Sequence, residues 1–328
     1  MVASHRTRYG EARLQALSIS RRVWPQLQGK TLCARVLGVF ERACSLLTDD
    51  GDILALVLPK IGDGPLNMVV DGAPGDFAMI ELGVPARLAE DCMQIGEVSV
   101  CVANASVWEP RPDWDHLRAC HEAITQQLTH LLSTAIRYAP AGSLLALLSD
   151  PLMPDSGRPY SSSGSAKGIR EPGASEPLRE AWPDAMLESA LAGAEALRKG
   201  WAGDVAELRT GATQLAGLGV GLTPAGDDFL TGVMLWAWLA QPAPRELCRA
   251  ILEASSARTS ALSAAFLRVA VEGECSAAWH RLLDALASGN RGQVVSAVGN
   301  TVSHGHTSGA DALAGFLWMA MAPLSAQG

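Results

Sequence analysis

Two textures of hydrophobic pattern divide the chain. Between Thr31 and about Trp108 the apolar residues come in short runs (LCARVLGVF, CSLLTDD, DILALVLP, LNMVV, FAMIEL, VSVCVANA), cut apart by Asp-Asp-Gly, Ile-Gly-Asp-Gly-Pro and Ala-Pro-Gly-Asp. Branched apolar residues pack well on a pleated surface and the punctuation reverses the chain, so the pattern predicts short strands joined by turns. The expectation is an antiparallel β-barrel or sandwich-like domain over residues 25–110. From Trp114 to Tyr138 the spacing becomes helical, with Leu117, Ile124, Leu128, Leu131, Leu132 and Ala135 on one stripe, Asp113 as cap and Pro140 as stop. After Asp184 it stays helical, predicting helices at about 184–199, 203–216, 227–240, 244–257, 260–272, 276–287, 291–302 and 310–322. Residues 1–24 read as a polar extension with a short helix on the body, and 111–328 as a helical domain interrupted by a loop at 150–183. The fold class is α+β.

Composition narrows the partners. Hydrophobic residues make up 48% of the 328, enough for a substantial core, and Ala and Leu dominate the second half, which favours closely packed helices. A formal charge of −8 with no concentrated basic face excludes a nucleic-acid partner. A small anion stays admissible, because local amides and a cation or two outweigh the overall sign. The longest apolar run, near Val233–Ala240, is too short for a membrane span, and the first twenty residues lack the apolar core of a secretory signal. Seven cysteines, odd in number and without a C-x-x-C pair, read as small buried hydrophobes in a reduced compartment. A cytoplasmic protein is expected.

The most informative stretch is Gly217–Ala240, GLGVGLTPAGDDFLTGVMLWAWLA. Gly217, Gly219 and Gly221 keep Cβ atoms out of the turn and permit positive φ. Thr223 is suited to cap the helix that follows, with Pro224 at its first position. Asp227 and Asp228 fall in the first turn, and from Phe229 the sequence is apolar nearly all round. A buried helix is therefore expected, its N-terminal end open onto whatever the glycines line. Free amides and the helix dipole attract an anion there, whereas the aspartates repel one or bring a cation. The spacing fits an anion site, a divalent-metal site with the aspartates as ligands, or a capped core helix whose acids suit the dipole.

A second segment, Gly305–Met319, repeats the pattern 84 residues on. With a one-residue gap Gly221 aligns with Gly305, Thr223 with Thr307, Gly226 with Gly309, Asp228 with Asp311, Leu230 with Leu313 and Gly232 with Gly315. Two such starts facing one cleft would surround a small ligand with Thr223, Thr307, their amides, Asp228, Asp311 and His306. Ala310 stands where Asp227 does, so the halves are not chemically equivalent. No nucleophile elbow, Walker loop, dinucleotide fingerprint or H-E-x-x-H pattern is present, and the residues do not point to covalent catalysis.

The runs Gly217–Gly232 (G-x-G-x-G-L-T-P-x-G-D-D-x-L-x-G) and Gly305–Gly315 (G-H-T-S-G-x-D-x-L-x-G) resemble the AllH-type family. Gly64-Pro65-Leu66-Asn67 and the stretch from Thr259-Ser260 to Gly273-Glu274 are shorter matches, and the likeness covers about residues 25–322. That family includes a subunit of bacterial oxamate carbamoyltransferase, which acts in allantoin breakdown. The resemblance implies a subunit of a multi-chain transferase that interconverts carbamoyl-oxamate plus phosphate with oxamate plus carbamoyl phosphate. Its ligand would be a small anionic metabolite (oxamate, phosphate or carbamoyl phosphate) and its partners other subunits. Such transfer needs no protein nucleophile if both substrates are held in line and the developing oxyanion meets fixed donors. Substrate binding would then fall to Gly219, Gly221, Thr223, Gly226, Asp227, Thr307, Ser308, Gly309 and Asn67, and chemistry to His306, Asp228 and Asp311. His306 or His304 would polarise the carbonyl or move a proton. Asp228 and Asp311 would accept from the carbamoyl amide or, with Asp227, hold Mg2+. Arg158, Lys167 and Arg170 sit in the proline- and serine-rich loop, which reads as a flexible linker or as a lid over a bound anion. The alternative is a non-catalytic binding or structural subunit.

Overall fold

The computed structural model describes residues 12–28, 32–89, 91–148 and 182–322, and the chain divides into two compact units. One comprises the chain up to Pro112 together with Glu274–His280; the other comprises Asp113–Gly273 and Arg281 onward. Arg158, Lys167 and Arg170 lie outside the described residues.

The first unit is built from β1 (Ala12–Ser20), a one-turn helix α1 (Trp24–Leu27), β2 (Leu32–Val39), β3 (Ala43–Thr48), β4 (Ile53–Val57), β5 (Asn67–Val70), β6 (Pro85–Ala89), β7 (Cys92–Ile95), β8 (Val98–Cys101) and β9 (Ser106–Trp108). The strand order β5-β4-β3-β2-β6-β7-β8-β1 closes through β1–β5 pairing into an eight-stranded barrel. β9 pairs with the last residues of β1. Closure leaves no long free edge. Alternation decides which side chains fill it: Ala86, Leu88, Met93 and Ile95 are buried, while Arg87 and Gln94 between them point outward. Burying each large apolar side chain contributes roughly 1.5–3 kcal/mol.

Two expectations change here. Residues 12–20 are not a helix on the body but strand β1, which pairs on one side with β5 and on the other with β8 and β9. The barrel is also mixed, not antiparallel: β1 runs parallel to β8 and β9, and β4 parallel to β5. Turn residues announce that the chain reverses, but not which strand it meets next. The seven cysteines are all free, but only Cys44, Cys248 and Cys275 are the buried hydrophobes expected, burial pushing the Cys44 thiol up to about 12, whereas Cys33 and Cys92 are exposed.

The second unit carries α2 (Trp114–Ala119), α3 (His121–Tyr138), a short 3-10 helix (Leu144–Leu148), α4 (Asp184–Gly200), α5 (Val205–Leu215), α6 (Ala225–Ala240), α7 (Pro244–Ser255), α8 (Ala261–Val271), most of α9 (Ala277–Ser288), α10 (Arg291–Val302) and α11 (Ser308–Ala320). From Asp184 onward the helices fall within two residues of their expected bounds. The single helix expected over 114–138 breaks at Cys120, whose backbone (φ −92°, ψ 11°) leaves the helical region. Among the described residues no helix is long and apolar enough to cross a membrane.

At the centre α6 and α11 cross with their backbones in close contact. A Cβ on Gly232 would run into the carbonyl oxygen of Ala312, and one on Gly315 into that of Phe229. In the alignment of the two segments Gly232 corresponds to Gly315 and Phe229 to Ala312, so the two contacts are related by a local pseudo-twofold. The same relation holds one turn earlier, where Gly226 lies against the carbonyl of Leu215 at the end of α5 and Gly309 against that of Thr301 near the end of α10. Each repeat is thus a helix, a turn and a buried helix. Beyond the crossing, the rings of Trp236 and Phe316 meet edge to face at 5.2 Å.

Gly315→Ala should therefore destabilise the protein by about 3 kcal/mol or more, since two backbones must separate. Gly299→Ala in α10, where a Cβ meets nothing within 4 Å, should be neutral or stabilising by about 0.5–1 kcal/mol. Thermal melts of both variants check this.

Candidate functional site

The crossing brings the first turns of α6 and α11 together. Thr223 Oγ1 and Ser308 Oγ are 3.0 Å apart and share a hydrogen bond. Thr223 is consequently not the N-cap it resembles: α6 begins at Ala225 with Pro224 in the cap position, and the threonine hydroxyl is turned toward the other repeat. Neither Pro224 nor Thr307 supplies a side-chain cap, whereas Asp113, Asp204, Ser260 and Asn290 cap α2, α5, α8 and α10. On α6 the amides of Gly226, Asp227 and Asp228 bond to Leu218 and Pro224 carbonyls, and on α11 those of Gly309 and Asp311 bond to His304 and Thr307 carbonyls. The amides of Ala225, Ser308 and Ala310 find no acceptor among the described residues. Such amides, at the positive ends of two long helices, suit a negatively charged or carbonyl oxygen.

The glycine turn packs closely against this end, where Ala225 and Ala310 are buried. Gly217, Gly219 and Gly221 all take left-handed φ (73°, 111° and 99°). A Cβ on Gly219 would sit 2.9 Å from the Ala225 amide nitrogen, and one on Gly305 would lie 3.2 Å from Ser308 Oγ. Only glycine fits so close to these groups.

The three aspartates have different surroundings. Asp227, 2% exposed, accepts from the Gly217 amide at 3.0 Å and from the Thr259 hydroxyl, so both its oxygens hold the turn in place. Asp311 is fully buried; its Oδ1 accepts from the Leu144 amide at 2.6 Å, and its Oδ2 is enclosed with no protein donor. Burial pushes its carboxyl up to about 7 against the opposing hydrogen bonds from Leu144 and Thr307. Asp228 is half-buried as a residue, yet its Oδ2 is likewise enclosed and without a donor. Burial holds it well above the usual carboxylate range; the hydroxyls of Ser308 and Thr223 beside it pull down, and the Asp311 and Asp227 carboxyls push up. Both carboxyls are thus held toward the protonated form relative to a free carboxyl, which weakens the repulsion of an anion expected from these residues. Among the described residues no three His, Cys, Asp or Glu side chains are placed to hold a metal ion, so the Asp227, Asp228 and Asp311 set is not brought together as ligands.

His306 is exposed on the turn before α11. His304, half-buried, is pushed down by burial and by the neighbouring Arg281, which favours the neutral imidazole. Asn67, in the β-rich unit, donates its side-chain amide to the Gly62 carbonyl at 2.9 Å and braces its own turn. Two contributors lay outside the expected set. The Leu144 amide serves Asp311 from a separate element, for which no local signal exists. Thr259 holds Asp227, and its only sequence trace is the hydroxyl pair at the head of a helix.

The model of a family described as oxamate carbamoyltransferase subunit AllH matches residues 215–320, and that of the AllH family N-terminal domain matches residues 15–107. The chain belongs to the AllH family. The first match takes in both glycine-rich helix starts and the head of α8, and the second takes in nearly the whole run of barrel strands. No solved structure matches the chain.

The raised acids predict how stability depends on pH. Asp311 titrates at about 7 in the folded protein against an ordinary 3.8, so between about pH 4 and 7 the folded state binds more protons than the unfolded chain. Stability should fall as pH rises through that window, by up to about 1.4 kcal/mol per pH unit, and level off above it. Asp311→Asn should flatten the slope, leaving the part due to Asp228 and Asp227, as urea unfolding at pH 5 and pH 8 will show.

Proposed function

We propose that this AllH-family chain is a subunit of a carbamoyltransferase of the oxamate type, working with other subunits in the cytoplasm. On this reading its paired helix starts bind the small anionic substrate of the reaction that interconverts carbamoyl-oxamate plus phosphate with oxamate plus carbamoyl phosphate. The observation that carries the proposal is the 3.0 Å contact between Thr223 and Ser308, which joins two uncapped helix starts over the Asp228 carboxyl. The Ala225, Ser308 and Ala310 amides and the two hydroxyls would hold a carboxylate or phosphoryl group and meet the oxyanion that develops at the carbamoyl carbon.

Asp228 is the acid–base candidate. A carboxyl raised by burial is suited to give a proton to the oxamate nitrogen as the C–N bond breaks and to recover one from the attacking phosphate. His306, on the exposed turn, is the second proton carrier, while Thr307 and Asp311 set the position of the α11 start. Asp227, Gly219, Gly221, Gly226 and Gly309 shape the binding surface.

Two variants separate catalysis, binding and architecture. Thr223→Val should weaken oxamate or phosphate binding to the isolated chain about tenfold. Asp228→Asn should lower turnover of the assembled complex about 100-fold or more with affinity nearly intact. Calorimetry and a carbamoyl phosphate assay read the two outcomes. Unchanged turnover and affinity in both variants would mean that the motif is architectural.

A further inference from the structure

We infer that Thr259 and Ser260, at the head of α8, are positioning residues for the anion site, acting on both ends of the glycine-rich turn. The inference rests on the anion-site reading and adds to it the element that fixes the turn beside the site.

The turn from Gly217 to Leu222 is tied down at its two ends, with Leu218 bonded through its amide to the Leu215 carbonyl and through its carbonyl to the Gly226 amide, while Gly219–Gly221 between them make no hydrogen bond among the described residues. At the first end the Gly217 amide donates to Asp227 Oδ1 at 3.0 Å, and Asp227 Oδ2 takes the Thr259 hydroxyl. The same glycine lies so close to the Arg258 carbonyl that a Cβ could not be accommodated. At the other end Ser260 Oγ donates to the Leu222 carbonyl at 2.6 Å. This hydroxyl also caps α8, accepting from the Ser263 amide at 3.0 Å, so the clamp is anchored to a helix end. Between the two ties Val220 is 91% exposed.

A turn of three left-handed glycines has many conformations open to it, and glycine loses more freedom on ordering than any other residue. Left to itself it would sample states in which it folds across the Ala225 amide. Tying both ends to residues 258–260 selects the one state in which Gly219 lies beside that amide. Ligand affinity then includes little cost for ordering the loop, which is how a preformed site gains over a floppy one. Thr259 and Ser260 touch no ligand in this scheme: the first works through Asp227 and the second through the Leu222 carbonyl.

The test uses the full chain. Amide hydrogen exchange across Gly217–Leu222 and calorimetric titration with inorganic phosphate and with oxamate are measured for wild type, Thr259→Val, Thr259→Ser and Ser260→Gly. Glycine remains an acceptable N-cap, so the last variant loosens the far end while leaving α8 nearly intact. Thr259→Val and Ser260→Gly should each speed exchange in the turn and weaken the anion that wild type binds, both by about tenfold. Exchange at Ser308–Asp311 should stay unchanged, and Thr259→Ser should restore both readouts. Should Thr259→Val fail to fold, Ser260→Gly alone decides. Faster exchange with unaltered affinity, unaltered exchange, or no rescue by serine would each overturn the positioning role. If wild type binds neither anion while the variants still loosen the turn, the anion-site reading has failed and the clamp belongs to the fold alone.

Discussion

Everything at the candidate site follows from how closely α6 and α11 approach. Each presents a glycine to a carbonyl of the other, Gly232 to Ala312 and Gly315 to Phe229, so no side chain stands between the backbones. That approach sets the spacing of the first turns, and the hydroxyls of Thr223 and Ser308 meet as a result. Beside that approach one carboxylate oxygen each of Asp228 and Asp311 is enclosed. A methyl group at the crossing would undo all of these at once, since two backbones must move apart before either side chain can.

Enclosure decides the charge of the site. A helix N-terminus favours an ionised carboxylate by about 0.3–1 kcal/mol. The rise of Asp311 from 3.8 to about 7 corresponds to roughly 4 kcal/mol in the other direction. Burial outweighs the dipole severalfold, and acids that look from their position like dipole partners are held above the usual carboxylate range. On the proposed function, this reduces the conflict between an anion site and two first-turn aspartates that the residue types alone suggest.

Much of this was legible before any coordinates. The helical spacing after Asp184 and the matched pairs from Gly221/Gly305 to Gly232/Gly315 are local signals, and they carried both the helices and the internal repeat. What stayed hidden was nonlocal. Ala12–Ser20 alternates in two short runs that change phase at a bulge between Ala16 and Ser18, and its place in the barrel comes from pairing with strands some fifty to ninety residues away. Thr223 followed by Pro224 has the local form of a capped start, but the contact that claims its hydroxyl is 85 residues on. Asp227 and Asp228 are neighbours in sequence with different work, and only the tertiary partners Gly217 and Thr259 on one side and Ser308 on the other tell them apart.

The two repeats share a frame but differ in their fittings. Nine residues join α5 to α6 and five join α10 to α11. The longer turn is braced by Asp227 and the head of α8; the shorter one has Ala310 in place of the brace and carries His304 and His306 instead. A symmetric pair of amide-rich ends would bind a symmetric ligand best. One rigid end without a histidine, facing one end that carries two, suits a molecule whose own ends differ, an anionic group to be held at one side and a carbonyl to be polarised at the other. On the proposed function, the difference between the two repeats is what gives the substrate a direction in the site.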